Sequence, residues 1–189
     1  MKKQELERLL FEEKTLYLTA DSNKQSDMKK RFHKRYLIWQ YLYYFRLWQF
    51  YREQRSDKTA SKLNRKLAKF KSGYYEKKKN VYSYRSGVEI GGQCNIGKNC
   101  DIWHSGVVIN GNIGDNCVFH GNNIIGNKGI GKDNEVPQIG NNVDIGAGAV
   151  IIGNVTIADN CIIGANAVVT KSFEEPGSII VGVPGRKMN

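Results

Sequence analysis

The stretch IGNNVDIGAGAVIIGNVTIADNCIIGANAVV, residues 139–169, decides the fold. An aliphatic residue returns at every sixth position: Ile139, Ile145, Ile151, Ile157, Ile163 and Val169. Further out, the same beat opens at Ile90, Ile96, Ile102 and Val108 and resumes, after one short step, at Ile113, Phe119 and Ile125. Four positions after each beat sits a slim residue, among them Cys94, Cys100, Gly106, Cys117, Asn123, Ala149, Cys161 and Ala167. A six-residue period belongs neither to a helix, which repeats at 3.6, nor to a flat strand, which repeats at 2. It fits a short strand plus a tight corner, with three units closing one triangular coil and coils stacked at about 4.8 Å. Aliphatic columns then fill the prism, and Gly or Asn takes the corners, where positive φ is often needed. Hexapeptide repeats are a signature of β-helices. The expected fold is mainly β: a left-handed parallel β-helix over residues 88–189 behind an α-helical domain at residues 1–87.

The beat breaks at two places. Val108 to Ile113 is one residue short, and Ile125 to Ile139 leaves about eight extra residues around Gly131–Gln138. The second break reads as a loop, 131–138, projecting from a corner, and long loops on a rigid scaffold are often functional.

Charge divides unevenly. Residues 1–87 hold 23 Lys/Arg against 9 Asp/Glu, whereas residues 88–189 hold 6 against 9, so the net +11 belongs to the N-terminal part. The opening MKKQELERLL is too charged for a secretory signal, and no run of about 18 apolar residues is present to span a membrane. The four cysteines sit at slim inward positions, lack paired metal-binding spacing and suit a reducing cytoplasm.

In the basic part, residues 2–19 read as a helix. A polar break from Asp21 precedes a second helix, capped at Ser26 or Asp27 and running to about Gln54, rich in aromatics including Phe32, Tyr36, Trp39 and Tyr44. Leu37, Ile38, Tyr41, Leu42, Phe45 and Trp48 form one stripe at helical spacing. The stripe is either the core of a small helical domain or, with the neighbouring Lys/Arg cluster, a peripheral membrane contact through residues 28–55 at the inner face of the cell membrane. No nucleic-acid motif is present, so nucleic acid is not an expected partner. A third helix with an apolar face of Ala60, Leu63, Leu67 and Phe70 is expected to end near Gly73, and Tyr74–Arg85 reads as a connector.

Of the three histidines, His33 lies in the basic helix, whereas His104 and His120 lie in the prism about one coil apart, near one edge. An imidazole on a rigid corner is well placed as a general base, because its pKa lies near working pH. Two adjacent histidines and a distant third argue against a metal.

The segments Val88-Glu89-Ile90, Ile102-Trp103-His104-Ser105-Gly106, Ile139-Gly140 through Ala149, Ile163 through Lys171, and Gly182-Val183-Pro184-Gly185-Arg186 resemble the hexapeptide-repeat acyltransferases, serine O-acetyltransferase branch. The resemblance implies acetyl-CoA as co-substrate, His104 as catalytic base and Glu89, in place of the usual Asp, as the acid that orients it. It implies cofactor contacts at Gly146, Ala147, Gly164 and Ala165, with Lys171 or Arg186 at the phosphates. Substrate contacts are expected at His120, Trp103, Asn122 and Asn127. A homotrimer is implied, with sites between prisms and trimers able to pair.

The sequence departs from the branch at the residue before the catalytic His, where Trp103 replaces Asp, and before the loop proline, where Val136 replaces a second His. An indole suits a sugar stacked on its face. Features such as Ile125-Gly126-Asn127-Lys128-Gly129 are similar to those of the relatives in polysaccharide biosynthesis. The main expectation is therefore O-acetylation of a sugar or polysaccharide hydroxyl in the cytoplasm. Serine O-acetylation in cysteine synthesis, a non-catalytic scaffold and N-acetylation of an amino sugar stand as alternatives.

Overall fold

The computed structural model describes residues 1–18, 22–31, 33–132 and 134–188, Ser22 by its backbone alone. Phe32, Asp21 and Asp133, which figure in the readings above, lie outside the described residues. The chain divides into two compact units, Met1–Gly87 and Val88–Asn189.

In the second unit the chain visits three sheets in turn. The first sheet holds β1 (Val88–Ile90), β3 (Val107–Ile109), β6 (Ile124–Gly126), β9 (Val150–Ile152) and β12 (Val168–Val169). The second holds β4 (Asn112–Ile113), β7 (Gln138–Ile139) and β10 (Thr156–Ile157). The third holds β2 (Asp101–Ile102), β5 (Val118–Phe119), β8 (Asp144–Ile145), β11 (Ile162–Ile163) and β13 (Ile179–Val181), with β14 (Arg186–Lys187) added antiparallel on β13. All other pairings are parallel, as stacked coils require. The six-residue beat is the core: Ile102, Phe119, Ile125, Ile145, Ile151, Ile163 and Val169 are fully buried, and the four thiols are buried between them. Burial pushes the Cys94 thiol up.

The first break falls one residue away from its expected place. Val108 is exposed, while Val107 and Ile109 are buried, with Ile109 paired to Ile90. The corner at Trp103–Gly106 takes one extra residue, and strand alternation then turns Val108 outward beside Glu89. The second break is a loop between β6 and β7. It is pinned by the Gly129 N–H donating to Asn127 Oδ1 at 3.3 Å and by a 2.6 Å Lys132–Glu135 ion pair, and Ile130 at its tip is fully exposed.

The first unit is α-helical: α1 (Lys3–Tyr17), α2 (Ser22–Lys30), α3 (Lys34–Ser56) and α4 (Lys62–Ser86). The second expected helix is therefore two. The third continues through Gly73 to Ser86, so the expected connector is helical; it starts on Ser61, whose Oγ accepts from the Asn64 N–H at 3.2 Å, and stops at Gly87 in the left-handed region. Gly73 keeps helical φ, and an isolated helical glycine costs about 1 kcal/mol relative to Ala without ending the helix.

The aromatic stripe of α3 is core. Leu37, Ile38, Tyr41, Leu42, Phe45 and Trp48 are all buried, so the apolar side of the membrane contact expected at residues 28–55 faces inward. Tyr44 stacks on Tyr82 at 5.3 Å and Tyr51 on Tyr75 at 5.5 Å, which locks α3 to α4. Arg46 donates from both Nε and a terminal nitrogen to Glu13 Oε1, at 3.1 and 2.7 Å, in a fully buried pair between α3 and α1. Among the described residues, no helix is long and apolar enough to cross a membrane.

Candidate functional site

The corner between the third and first sheets gathers most of the expected site. Ile102 pairs with Phe119, Phe119 with Ile145, and Ile145 with Ile163. One residue further on, Trp103, His120, Gly146 and Gly164 form a column along the prism, and His104, Gly121, Ala147 and Ala165 form the next. At one strand spacing per coil, His104 stands about 10 Å from Ala147 and about 14 Å from Ala165.

His104 is exposed at the corner and lies over a glycine floor. A Cβ on Gly121 would stand 2.6 Å from His104 Cβ, and Gly121 has a φ of +117°. Only glycine meets both conditions. Asn123, fully buried, holds this floor: its Oδ1 accepts from the Gly121 N–H at 3.0 Å and its Nδ2 donates to the Gly146 carbonyl at 2.8 Å. Asn122 takes the left-handed corner beside it, with its Oδ1 occupying the space under Gly106.

Beside the base lies a polar chain. The Trp103 indole packs on the His120 ring at 4.3 Å, and Trp103 Nε1 donates to Asp101 Oδ2 at 3.0 Å. His120 Nε2 is 2.7 Å from Asp144 Oδ1. That contact is close but not aligned for a hydrogen bond, and Nε2 is screened from solvent with no partner in hydrogen-bond geometry among the described residues. Asp101 and Asp144 thus place two carboxylates around Trp103 and His120.

Farther along the corner the N–H groups of Ala147 and Ala165 make no hydrogen bond among the described residues, whereas their neighbours Gly146, Gly148, Gly164 and Asn166 donate to the adjacent coil. Both alanines are exposed, so the corner presents spaced, unpaired donors to an extended ligand with amide carbonyls. Arg186 closes the same edge: it pairs with Val181, whose side chain covers Gly164.

Three expected site residues lie elsewhere. Glu89 faces outward on β1 opposite Val108, and no hydrogen bond joins it to His104 among the described residues. Asn127 and Lys171 lie at the corner between the first and second sheets, Asn127 in its turn with Gly129 and Lys171 over the Phe173 ring at 5.4 Å. Gly121, Asn123, Asp101 and Asp144 were missing from the sequence-based set. Gly121 was reachable from it: the 17-residue offset pairing Ile102 with Phe119 also sets His104 over Gly121. Asp144 was not, because the β6–β7 loop stretches its offset from β5 to 26 residues. Among the described residues, no group of three His, Cys, Asp or Glu could hold a metal ion.

Residues 137–171 match the bacterial transferase hexapeptide family, six repeats. A serine acetyltransferase of Staphylococcus xylosus is 39% identical over 122 residues, 59% of this chain and 56% of the relative. A serine acetyltransferase of Staphylococcus aureus strain Mu50 is 42% identical over 108 residues, 56% of this chain and 50% of the relative. The chain therefore spans about half the length of the curated relatives it matches. The crystal structure of serine acetyltransferase in complex with coenzyme A from Brucella abortus strain S19 superposes with a TM-score of 0.72 at 19% identity, over 98% of this chain and 68% of that one. The fold is accordingly the left-handed β-helix with an N-terminal helical region.

Proposed function

We propose that this chain, whose β-helix carries the repeat of the bacterial hexapeptide transferases, transfers acetyl from acetyl-CoA to the hydroxyl of L-serine. The observation that carries this reading is that both staphylococcal relatives, matched over more than half of the chain, are serine acetyltransferases. They overturn the expectation of a sugar or polysaccharide acceptor and of a role in capsule synthesis. A physical reason agrees: one face of the Trp103 indole, the intended sugar platform, is already covered by His120, and its N–H is spent on Asp101.

In the proposed reaction His104 takes the proton of the serine hydroxyl as the oxygen attacks the thioester carbonyl. The tetrahedral intermediate expels the CoA thiolate, which takes the proton back from the imidazolium, giving O-acetylserine and CoA. The unpaired N–H groups of Ala147 and Ala165 meet pantetheine carbonyls along the corner, flanked by Gly146 and Gly164, and Arg186 at its end meets phosphate. Lys171, at the other corner, is the weaker candidate for phosphate. Glu89 is assigned to orienting imidazolium and His120 and Asn122 to the acceptor pocket; Asn127, at the other corner, is the weaker candidate for an acceptor contact. With an uncharged Trp103 before the base, the negative charge that an amino-acid ammonium needs comes from Asp101 and Asp144.

The proposed assembly is a homotrimer with each site between two prisms, in the cytoplasm. Exposed apolar side chains on the outer faces, Val108 and Ile124 on the first sheet and Ile162 and Ile179 on the third, are what neighbouring copies would cover.

Acceptor choice tests the reading. CoA release by the purified chain is expected with L-serine and absent with a panel of sugars and oligosaccharides; the reverse pattern would refute it. Gly121→Ala is expected to lower kcat by about tenfold to a hundredfold, because a Cβ there displaces the base by a fraction of an ångström or more. Its secondary structure by circular dichroism should match wild type. Wild-type kcat in this variant would show that the floor under His104 does not position it.

A further inference from the structure

Asn123 occupies a place that the neighbouring coils give to apolar side chains. Val108 pairs with Ile124, Ile124 with Val150, and Val150 with Val168. One residue before each stand Val107, Asn123, Ala149 and Ala167, all fully buried. Packing alone asks for a small apolar residue here, because an amide taken out of water costs free energy unless its polar atoms are bonded. Those of Asn123 are bonded, and to two different coils. Its Oδ1 accepts from the Gly121 N–H at 3.0 Å, and its Nδ2 donates to the Gly146 carbonyl at 2.8 Å. A backbone N–H can only donate and a carbonyl can only accept, so the two bonds need a side chain that accepts and donates at once. A hydroxyl has one atom for both tasks; the amide has two, spaced to reach both coils.

The backbone closes these bonds into a ring. Gly148 donates its N–H to the Gly121 carbonyl at 2.9 Å, and Ala149 donates to the Gly146 carbonyl at 3.2 Å. Gly121 is thus held at its N–H by Asn123 and at its carbonyl by the turn from Gly146 to Ala149, and the same side chain holds the start of that turn. Gly121 is the floor under His104, and the turn carries the open Ala147 N–H. The clamp therefore lies in the coil between the base and the first cofactor donor. One coil further along, Ala149 stands in the place of Asn123. There the turn from Gly164 to Ala167 is tied back by the Asn166 N–H, which donates to the Ala147 carbonyl at 2.9 Å, and the alanine methyl adds no bond.

We propose that Asn123 is a positioning residue for acetyl transfer: by tying Gly121 to Gly146 it fixes the base relative to the cofactor donor at Ala147. The assignment rests on the reaction proposed above. The acceptor oxygen is activated at His104 and the thioester is held along the corner, so both need one rigid frame. A misplacement of about 1 Å in such a frame costs about a hundredfold in rate.

Asn123→Val tests this in the full chain. Valine suits the place, since Val107 holds it one coil earlier. Asn123→Ala takes over if circular dichroism shows that the valine variant does not fold. With L-serine and acetyl-CoA, kcat is expected to fall by about tenfold to a hundredfold. The KM for acetyl-CoA is expected to rise by about threefold to tenfold, the worth of one hydrogen bond. The double variant Gly121→Ala/Asn123→Val is expected to lose no more than the worse of its two single variants, because both act on one floor. The NMR signal of the His104 ring is expected to shift in Asn123→Val while that of His33 stays in place, a readout that needs no acceptor. Wild-type kcat and KM in a folded Asn123→Val would overturn the proposal, as would an unmoved His104 signal or losses that multiply in the double variant. A wild type that leaves L-serine unacetylated would refute the acceptor reading alone. The His104 signal and calorimetric acetyl-CoA affinity then decide the role of Asn123, and values unchanged by the substitution would overturn it.

Discussion

His104→Ala is expected to lower kcat for acetyl transfer to L-serine by about 10²- to 10⁴-fold, the usual contribution of a positioned general base. The serine hydroxyl is far too weak an acid to attack a thioester unaided, and among the corner residues only His104 combines a basic nitrogen, exposure and a rigid seat. His120, the nearest other imidazole, is packed against Trp103, and its Nε2 is screened from solvent beside Asp144. Affinity for acetyl-CoA should stay near wild type, because the proposed cofactor contacts at Ala147 and Ala165 lie two and three coils away. Stopped-flow or steady-state CoA release together with calorimetric acetyl-CoA binding separates the two effects. Loss of both together would mean that the corner had rearranged.

Arg46→Ala is expected to destabilise the helical unit by about 3–5 kcal/mol, the effect of breaking a buried pair by removing one partner. Glu13 would be left almost wholly buried without the two nitrogens that now hold its Oε1, while its Oε2 already has no hydrogen-bond partner among the described residues. Replacing both residues with leucine should recover most of the loss, since the desolvation cost disappears along with the attraction. Urea unfolding followed by helix signal gives both values. A double variant no more stable than Arg46→Ala would show that the pair matters for shape and not for charge.

Much of the β-helix was legible because its period is unlike any other. A residue that returns every six positions can only be a corner-and-strand unit, and the buried columns from Ile139 to Val169 follow it without a slip. The error at Val108 has a local cause. Val107, Val108 and Ile109 are all β-branched and aliphatic, so composition cannot say which of the three alternates outward; the pairing of Ile109 with Ile90 does. In the helical unit Gly73 resembled a stop, but a glycine ends a helix through the left-handed conformation, which is found at Gly87. Leu63, Leu67 and Phe70 make an apolar face in the sequence, yet all three are exposed, because spacing gives periodicity without saying which side the fold covers.

The site divides in the same way. Histidine positions and the Gly-Ala corners could be placed by counting coils. The carboxylates Asp101 and Asp144 could not, since what matters is their reach to Trp103 and His120 across strands whose offset depends on a loop. The acceptor was misjudged at Trp103 because an indole was read as an open platform, whereas its face and its N–H already have partners inside the chain.

The most direct test of the account is product analysis after incubating the purified full chain with acetyl-CoA and L-serine, for wild type and His104→Ala in parallel. The account predicts O-acetylserine, identified by mass spectrometry in amounts matching CoA released, with wild type and only traces with His104→Ala. O-acetylserine formed equally by both proteins, or none formed by wild type under conditions where it binds acetyl-CoA, would contradict it.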